Sequence, residues 1–190
     1  MKKALPPQTI LHPHPVLIIG TYGQQGKPNL ATASWGGICC SEPPCVAVSF
    51  RKATLTYHNI IESKAFTVGI PCSDQAALAD YLGMVSGKDE NKFERCHLIA
   101  QKSAKVNAPF ADDFPYTLEC KLIHTFEFGL HTQFVGQIVG ILADEKILGE
   151  GGAPDIEKVK PIIYGSFGSS NYYALGEKLG RAFSLGKKIF

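Results

Sequence analysis

Residues 29–51 read NLATASWGGICCSEPPCVAVSFR, two β-rich runs on either side of the turn-forming sequence SEPP. Strand interiors are normally filled with Val, Ile and Leu, because these side chains bury apolar area without leaving hydroxyl groups in need of partners. The first run instead carries Ala-Thr-Ala-Ser before the only tryptophan of the chain, and the second run ends on Arg51. This pattern indicates a hairpin that meets something flat and polar.

Further β runs surround this hairpin. The sequence VLIIGTY (Val16 to Tyr22) is followed by the turn sequence GQQGKPN, which predicts a first hairpin with the run from Leu30 to Cys40. Later, YTLECKLIHTFEFG and HTQFVGQIVGILAD are long β runs joined near Gly129, a hairpin of the kind that closes antiparallel barrels. We therefore expect a mainly β protein with one domain over residues 1–190, an antiparallel β-barrel with accessory helices.

Helix signals are fewer. Thr54 is the expected N-cap of a helix within TLTYHNIIESKAF, and the strand FTVGIP follows it. The segment 83–115 is polar, and we expect it to be mostly loop, with a short helix around Glu90 to Cys96 and one or two strands. A second helix is predicted from Ser73 to Leu82, with its inner face formed by Ala76, Ala77, Leu78 and Leu82.

Composition and charge exclude several classes of protein. The chain has 190 residues, 45% hydrophobic and 19% charged, which is too balanced for a disordered protein. A net charge of +2 gives little long-range field, so a general nucleic-acid or anionic-membrane binder is not expected. The start, MKKALPPQTI, has no continuous apolar region, and no apolar run approaches the roughly 20 residues of a membrane span. The predicted location is the cytoplasm.

The cysteines lack the paired CxxC spacing of a zinc site, and without an export signal they are expected to be reduced, half-buried thiols. We therefore predict no metal site. Cys39 and Cys45 flank the SEPP turn, so a redox or metal role for these two is the alternative. The six cysteines are Cys39, Cys40, Cys45, Cys72, Cys96 and Cys120.

Five segments, in order along the chain, resemble a known family. They are NLATASW, EPPCVAVSFRKATLTYHNIIESKAFTVGIP, SGKD, HTQFVGQIVGI and YYALGEKLG. Together they are similar to the flavin reductase-like, FMN-binding split-barrel family, and within it to the flavoredoxin group. The resemblance implies a six-stranded antiparallel split barrel, a homodimer, and one non-covalent FMN near the subunit interface.

The resemblance also implies which residues hold the cofactor. FMN presents a flat ring with hydrogen-bonding edges, a ribityl chain and a doubly charged phosphate, so its site needs backbone donors, an apolar wall and a phosphate cradle. The implied cofactor-binding residues lie in three segments: Asn29, Thr32, Ala33, Ser34 and Trp35; then Ser49, Phe50, Arg51, Lys52, Thr54 and Thr56; then Ser86, Gly87 and Lys88.

Residue chemistry agrees with these assignments. The small side chains before Trp35 let a flat ring lie close to the strand amides. Arg51 precedes the helix expected to begin near Thr54, and a guanidinium beside free helix N–H groups binds phosphate well. In SGKD, Gly87 permits close backbone approach and Lys88 supplies a cation. The residues alone leave three alternatives open. Trp35 could be an ordinary core aromatic, Arg51 a surface arginine, and SGKD a solvated turn.

His131 opens the run HTQFVGQIVGI and is the candidate catalytic residue. In the resembled family, a histidine at this position faces the flavin and the incoming donor, where it can hydrogen-bond a ring oxygen or orient a nicotinamide amide. The alternative is a strand-end histidine satisfied by the backbone.

The implied activity is that of an oxidoreductase that takes electrons from NAD(P)H and passes them to flavin or another acceptor. The cofactor carries such chemistry, so no protein nucleophile is needed. One alternative is a flavoredoxin-type electron carrier reduced by a protein donor, and another is a non-catalytic flavin-binding module. A further alternative activity, the reduction of ferric iron with a thiol at Cys39 or Cys45, stays open. FMN is preferred over FAD through the resemblance alone.

Overall fold

The computed structural model describes residues 1–168 and 170–189. The described strands are β1 His14–Pro15, β2 Leu17–Tyr22, β3 Pro28–Ala33, β4 Gly36–Ser41, β5 Pro44–Arg51, β6 Ala65–Ile70, β7 Ala100–Lys102, β8 Pro109–Ala111, β9 Tyr116–Phe128, β10 His131–Ala143, β11 Ile163–Gly165 and β12 Asn171–Tyr173. The described α-helices are α1 Leu55–Ser63, α2 Ala76–Met84, α3 Lys92–Arg95 and α4 Ile156–Val159. Short 3-10 turns lie at Gln24–Gly26, Ser73–Gln75, Glu145–Ile147 and Leu185–Lys188.

The main sheet has seven strands in the order β3-β2-β6-β9-β10-β5-β4, with every neighbouring pair antiparallel. Its two edge strands, β3 and β4, follow each other in the chain and are separated only by Ser34 and Trp35. Counting them as one interrupted strand gives the six strands of a split barrel. The chain is 41% strand and 20% helix, so the predicted mainly β barrel with accessory helices is confirmed.

The predicted hairpins form where the turn signals lie. Strands β2 and β3 pair around the GQQGK turn, and β4 pairs with β5 around SEPP, with Ser41 opposite Pro44. Strands β9 and β10 join at Gly129, whose φ of 51° is in the left-handed region that glycine adopts without strain.

One predicted strand is not continuous in the structure. The run from Leu30 to Cys40 is broken at Ser34 and Trp35, because the chain there leaves its pairing with β2 and begins its pairing with β5. Where the pairing changes from β2 to β5, the Trp35 carbonyl accepts a hydrogen bond of 2.9 Å from the amide of Ser49. The tryptophan therefore stands at the split of the barrel.

Two apolar clusters stabilise the fold. The barrel interior is filled from β2, β5, β6, β9 and β10, with Phe66 and Phe134 fully buried. Gly136 makes room for the Phe66 ring, since a Cβ atom at this glycine would lie 2.5 Å from its Cζ. The second cluster packs α2 and α3 against β2 and β3, through Leu82 and Phe93 among others.

Helix α1 begins where the sequence predicts. Thr54 is its N-cap: the Thr54 hydroxyl accepts a hydrogen bond of 3.3 Å from the amide of Tyr57 and donates one of 2.9 Å to the carbonyl of Arg51. The helix ends after Ser63, and its C-cap residue, Lys64, has left-handed backbone angles. The Thr54 hydroxyl thus stabilises the turn between β5 and α1 through two hydrogen bonds.

Replacing this N-cap has a defined expected cost. Thr54→Ala should lower the free energy of unfolding by about 1 kcal/mol, because loss of an N-cap hydroxyl typically costs roughly 0.5–2 kcal/mol. Thr54→Ser keeps the hydroxyl and should retain most of the stability. Urea unfolding of the flavin-free protein measures both, and equal losses for the two variants would contradict the capping role.

The second predicted helix is a 3-10 turn followed by α2, which ends two residues later than expected. Its inner face was partly mispredicted: Ala77 is exposed, whereas Ala79 and Leu82 are fully buried. Ala79 and Leu82 are three residues apart and share a helix face, while Ala77 points away from it.

The remaining segments mostly agree with the prediction. Helix α3 lies within the predicted range Glu90 to Cys96, and β7 and β8 pair in the following loop region. Near the C-terminus, β11 pairs with both β1 and β12, and Ser169 between them lies outside the described residues. Across residues 1–168 and 170–189, no helix is long and apolar enough to cross a bilayer.

Candidate functional site

The three segments assigned to the cofactor converge beside the start of α1. The Lys88 ammonium donates a hydrogen bond of 3.0 Å to the carbonyl of Ala53, in the turn between β5 and α1. Gly87 lies against β3, because a Cβ atom there would be 2.0 Å from the Asn29 Oδ1 atom. It would also be 3.0 Å from Leu55. The SGKD loop therefore touches both other segments, and only glycine permits this approach.

A polar-aromatic corner lies at the split of the barrel. The rings of Trp35 and His131 have centroids 4.6 Å apart and are tilted by 44°. His131 pairs directly with Arg51 across β10 and β5. Trp35 remains 39% exposed, so part of this residue is accessible to another group.

The electrostatic setting of His131 favours the neutral imidazole. Burial lowers the pKa of His131 below its usual value, and the neighbouring Arg51 guanidinium lowers it further. A neutral imidazole has one N–H donor and one acceptor nitrogen, so His131 can either donate to a ring oxygen or accept from an amide.

Positive charge gathers at the N-terminal end of α1. Arg51 is exposed, and its guanidinium makes no ion pair with any side chain in residues 1–168 and 170–189. The Lys88 ammonium lies on the other side of the same turn, at Ala53. Cationic side chains close to a helix N-terminus are suited to binding a phosphate group.

Buried polar groups link β3 to the helices. Asn29 is buried, and its amide donates a hydrogen bond of 3.2 Å to the Thr56 hydroxyl. The Thr32 hydroxyl donates to the carbonyl of Ala79 in α2. The Thr32 hydroxyl thus donates within the protein and the Thr56 hydroxyl accepts, so both residues are placed to position β3.

The other predicted residues fall into two groups. Ser34 and Ser49 are half-buried beside the Trp35 carbonyl, and the Ser86 hydroxyl accepts a bond of 3.2 Å from the amide of Lys88. Ala33 and Phe50 are buried in the barrel core, and Lys52 forms an ion pair of 2.9 Å with Glu127; these three are not brought to the open site.

A buried lysine beneath the site was missed by sequence reasoning. Lys92 is 4% exposed, and its ammonium donates to the carbonyls of Leu30, at 2.9 Å, and Leu82, at 2.6 Å. Burial lowers its pKa to about 8. Its position in the short predicted helix was the only available signal. Lys92 fixes β3, the strand that leads to Trp35, onto α2.

A cavity of about 360 Å³ opens beside Gly87 and Lys88. Its walls include Asn29, Gly87 and Lys88 from the predicted set, together with Leu55 and His58 of α1. The cavity follows the first turns of α1, so it can take the part of a ligand that extends beyond Lys88.

The residues present fit FMN. The exposed part of Trp35 suits a flat ring, the half-buried Ser34 and Ser49 suit its hydrogen-bonding edges, and Lys88 at the turn before α1 suits its phosphate. Among the described residues, no group of three or more His, Cys, Asp or Glu side chains could hold a metal ion.

Comparison with known proteins identifies the family. The model of the flavin reductase-like domain matches residues 10–166, so the chain belongs to that family. The flavoredoxin of Desulfovibrio vulgaris (Miyazaki F) superposes with a TM-score of 0.92 and 46% identity, covering 98% of this chain and 100% of that one. The flavoredoxin from Methanosarcina acetivorans superposes with a TM-score of 0.91 and 28% identity, covering 100% of both chains.

More distant relatives share the domain. A ferric-chelate reductase (NAD(P)H) of Archaeoglobus fulgidus is 26% identical over 57% of this chain and 64% of its own length. The predicted membership of the flavin reductase-like split-barrel proteins is therefore confirmed, with flavoredoxins among the structural neighbours. A flavin-binding fold of this kind supports an oxidoreductase role.

Proposed function

We propose that this protein binds FMN non-covalently at the split of the barrel, accepts electrons from NAD(P)H, and passes them to free flavin or another acceptor in the cytoplasm. When bound, the flavin supplies the hydride and electron chemistry. The chain's own residues orient it: Trp35 lies against the ring, Arg51 and Lys88 hold the phosphate, and His131 faces the ring edge and the incoming donor.

The observation that carries this proposal is the contact of the SGKD loop with the turn before α1. The Lys88 ammonium reaches the Ala53 carbonyl at 3.0 Å, two residues from Arg51 and at the helix start. A segment 35 residues further along the chain thereby brings a second cationic residue, Lys88, to the turn that follows Arg51. A doubly charged phosphate is the group that this arrangement complements.

The decisive experiment is the visible spectrum of the purified protein, followed by anaerobic titration. Flavin bands are expected after purification or after FMN addition. Bleaching by NADH or NADPH supports the reductase. A flavin that is bound but resists both nucleotides and every reduced protein donor supports the non-catalytic module. A protein that never binds flavin would overturn the whole proposal.

A flavoredoxin-type carrier is the second candidate function. The 46% identity over nearly the whole chain to the flavoredoxin of Desulfovibrio vulgaris favours it. In this version, a reduced iron–sulfur protein delivers electrons directly to the flavin. Bleaching by reduced ferredoxin, together with resistance to both nicotinamide nucleotides, would place the carrier first.

His131→Ala separates donor binding from flavin binding. If His131 orients a nicotinamide, the variant should show a higher KM for NAD(P)H or slower anaerobic flavin reduction. FMN affinity should stay within about tenfold, because one neutral hydrogen bond contributes only ~0.5–1.5 kcal/mol. Outright loss of FMN would make His131 a flavin ligand, and no change in either property would leave it a strand-end histidine.

We also propose a homodimer with the flavin near its interface. The end of the β9–β10 hairpin exposes large apolar side chains, with Phe126 48% exposed and Phe128 and Leu130 each 63% exposed. Phe128 is the register partner of His131, so this apolar surface is continuous with the proposed site. A second copy of the chain is the partner proposed to cover it.

This arrangement predicts linked flavin binding and assembly. Light scattering should find a dimer at micromolar concentration, and removal of FMN should loosen it, because a ligand stabilises the state that contains its site. Phe128→Asp should shift the protein toward monomers, whereas Leu179→Asp, at a side chain 90% exposed near the C-terminus, is the matched control. A flavin-saturated wild-type monomer would contradict the proposed interface.

A further inference from the structure

Three of the six cysteines, Cys39, Cys40 and Cys45, lie together on the β4–β5 hairpin. Cys40 and Cys45 are directly opposite each other across the antiparallel pair, one residue pair from the SEPP turn. Directly opposite residues in such a pair have Cβ atoms about 4.5–5.5 Å apart, close to the 3.5–4.5 Å that a disulfide requires. A small adjustment of this terminal pair would therefore join the two sulfurs.

The side-chain contacts of the pair agree with its register. The Cys40 thiol donates to the carbonyl of Glu42 at 3.3 Å, and the Cys45 thiol donates to the carbonyl of Pro43 at 3.3 Å. Both thiols therefore lie at the turn end of the hairpin, where they donate to the carbonyls of two adjacent turn residues. Cys39 is different, because a register irregularity between Ile38 and Cys40 leaves it without a directly opposite partner on β5.

We propose that Cys40 and Cys45 are a redox-active dithiol that forms a reversible cross-strand disulfide by exchange with low-molecular-weight disulfides. This dithiol differs from the predicted alternative of Cys39 with Cys45 in one partner, since the hairpin places Cys40 opposite Cys45.

The exchange takes place in two balanced steps. The exposed Cys40 loses its proton, and its thiolate attacks one sulfur of a small disulfide RSSR; a mixed disulfide forms and RS⁻ leaves. The buried Cys45 then loses its proton and attacks the Cys40 sulfur, which breaks the mixed disulfide and releases a second RS⁻. The two released protons form two RSH with these thiolates. The dithiol is oxidised by two electrons, and RSSR is reduced by two.

The two cysteines have different roles in this exchange because their environments differ. Cys40 is exposed and can meet a disulfide in solution, whereas Cys45 is 2% exposed and lies opposite Cys40 on the neighbouring strand. Burial and the neighbouring thiols raise the pKa of Cys45 and so lower its thiolate fraction, and its reaction therefore depends on its position opposite Cys40. Ring closure is intramolecular, so a high effective concentration favours it over a second mixed disulfide.

Glutathione tests the proposal on the full-length protein. The reduced protein is equilibrated with oxidised and reduced glutathione, quenched with acid, alkylated with iodoacetamide and mapped by mass spectrometry. Wild type should lose two of its six alkylatable thiols without gaining glutathione, and the peptide should resist fragmentation between residues 40 and 45. Cys39→Ser is the matched control and should give the same link.

Variants at the second cysteine separate the two steps. Cys45→Ser, and Cys45→Ala in case the buried hydroxyl disturbs folding, should each leave one glutathione on Cys40, since no thiol resolves the mixed disulfide. A wild-type protein that also retains glutathione on Cys40 would overturn the proposal. It would equally be overturned by a link that uses Cys39, by an unreactive Cys40, or by a soft metal ion held on these thiols in the purified protein.

Discussion

Replacing Arg51 with alanine is expected to weaken FMN binding by about 1.5–3 kcal/mol, roughly 10- to 150-fold, and to weaken riboflavin binding much less. The reason is that a hydrogen bond between two charged groups is lost, while the ring contacts at Trp35 are unchanged. Fluorescence titration of the flavin-free protein with both ligands measures the two losses. Equal losses for FMN and riboflavin would refute the phosphate role.

The adjacent lysine provides a matched control. Lys52 is one residue away and carries the same charge, but its ammonium is 2.9 Å from the carboxylate of Glu127. Lys52→Ala should therefore change FMN affinity far less than Arg51→Ala. Arg51→Lys keeps the charge but loses the two-pronged donor geometry, so its FMN affinity should be intermediate. A larger effect at Lys52 would place the phosphate on the other side of the strand end.

The hairpins and α1 could be predicted because their signals are local. The SEPP and GQQGKPN turns stand between β-rich runs, and Thr54 precedes a run with helical spacing. Turn formation and N-capping depend on residues within a few positions of one another. The structure places both features where the sequence predicted them.

The errors arise where distant parts of the chain decide the outcome. The break at Ser34 and Trp35 exists because β3 and β4 pair with different neighbours, and strand composition contains no signal for that exchange. Ala77 was assigned to the core although Ala79 is the buried residue, because which side of α2 meets β3 depends on the packing of the two elements.

Two of the predicted segments meet in the structure, while the fate of individual side chains depended on packing. The SGKD loop touches the turn before α1, where the Lys88 ammonium donates to the Ala53 carbonyl, and the phosphate role of Arg51 and Lys88 stays a prediction. Phe50 lies on the core face by the alternation of β5, and Lys52 is bound to Glu127 on a strand 75 residues away. No spacing rule indicates that Lys92 is buried, since a lysine in a short polar helix is normally exposed.

The second large expected effect concerns Lys92, whose contribution to the free energy of unfolding should rise with pH. In the folded protein its pKa is lowered to about 8 from its ordinary value of 10.5, chiefly by burial. Between these pH values the unfolded chain holds more protons on this group than the native protein does. The contribution of Lys92 to the free energy of unfolding should therefore increase as pH rises from about 8 to 10.5, by on the order of 3 kcal/mol.

Comparison with Lys92→Met isolates this contribution, because methionine has a similar length and does not titrate. The difference in unfolding free energy, wild type minus variant, should be flat below about pH 7 and rise in favour of wild type toward pH 10.5. Buried tyrosines and cysteines, whose raised pKa values destabilise the fold as pH rises, are common to both proteins and cancel.

Cys96 is the exception, since its pKa responds to the charge of Lys92. Both proteins should therefore also be compared in a Cys96→Ser background. Urea unfolding of the flavin-free proteins at several pH values gives the curve. A difference that stays flat to pH 10.5, or that falls, would mean that the hydrogen bonds to Leu30 and Leu82 keep the ammonium charged despite its burial.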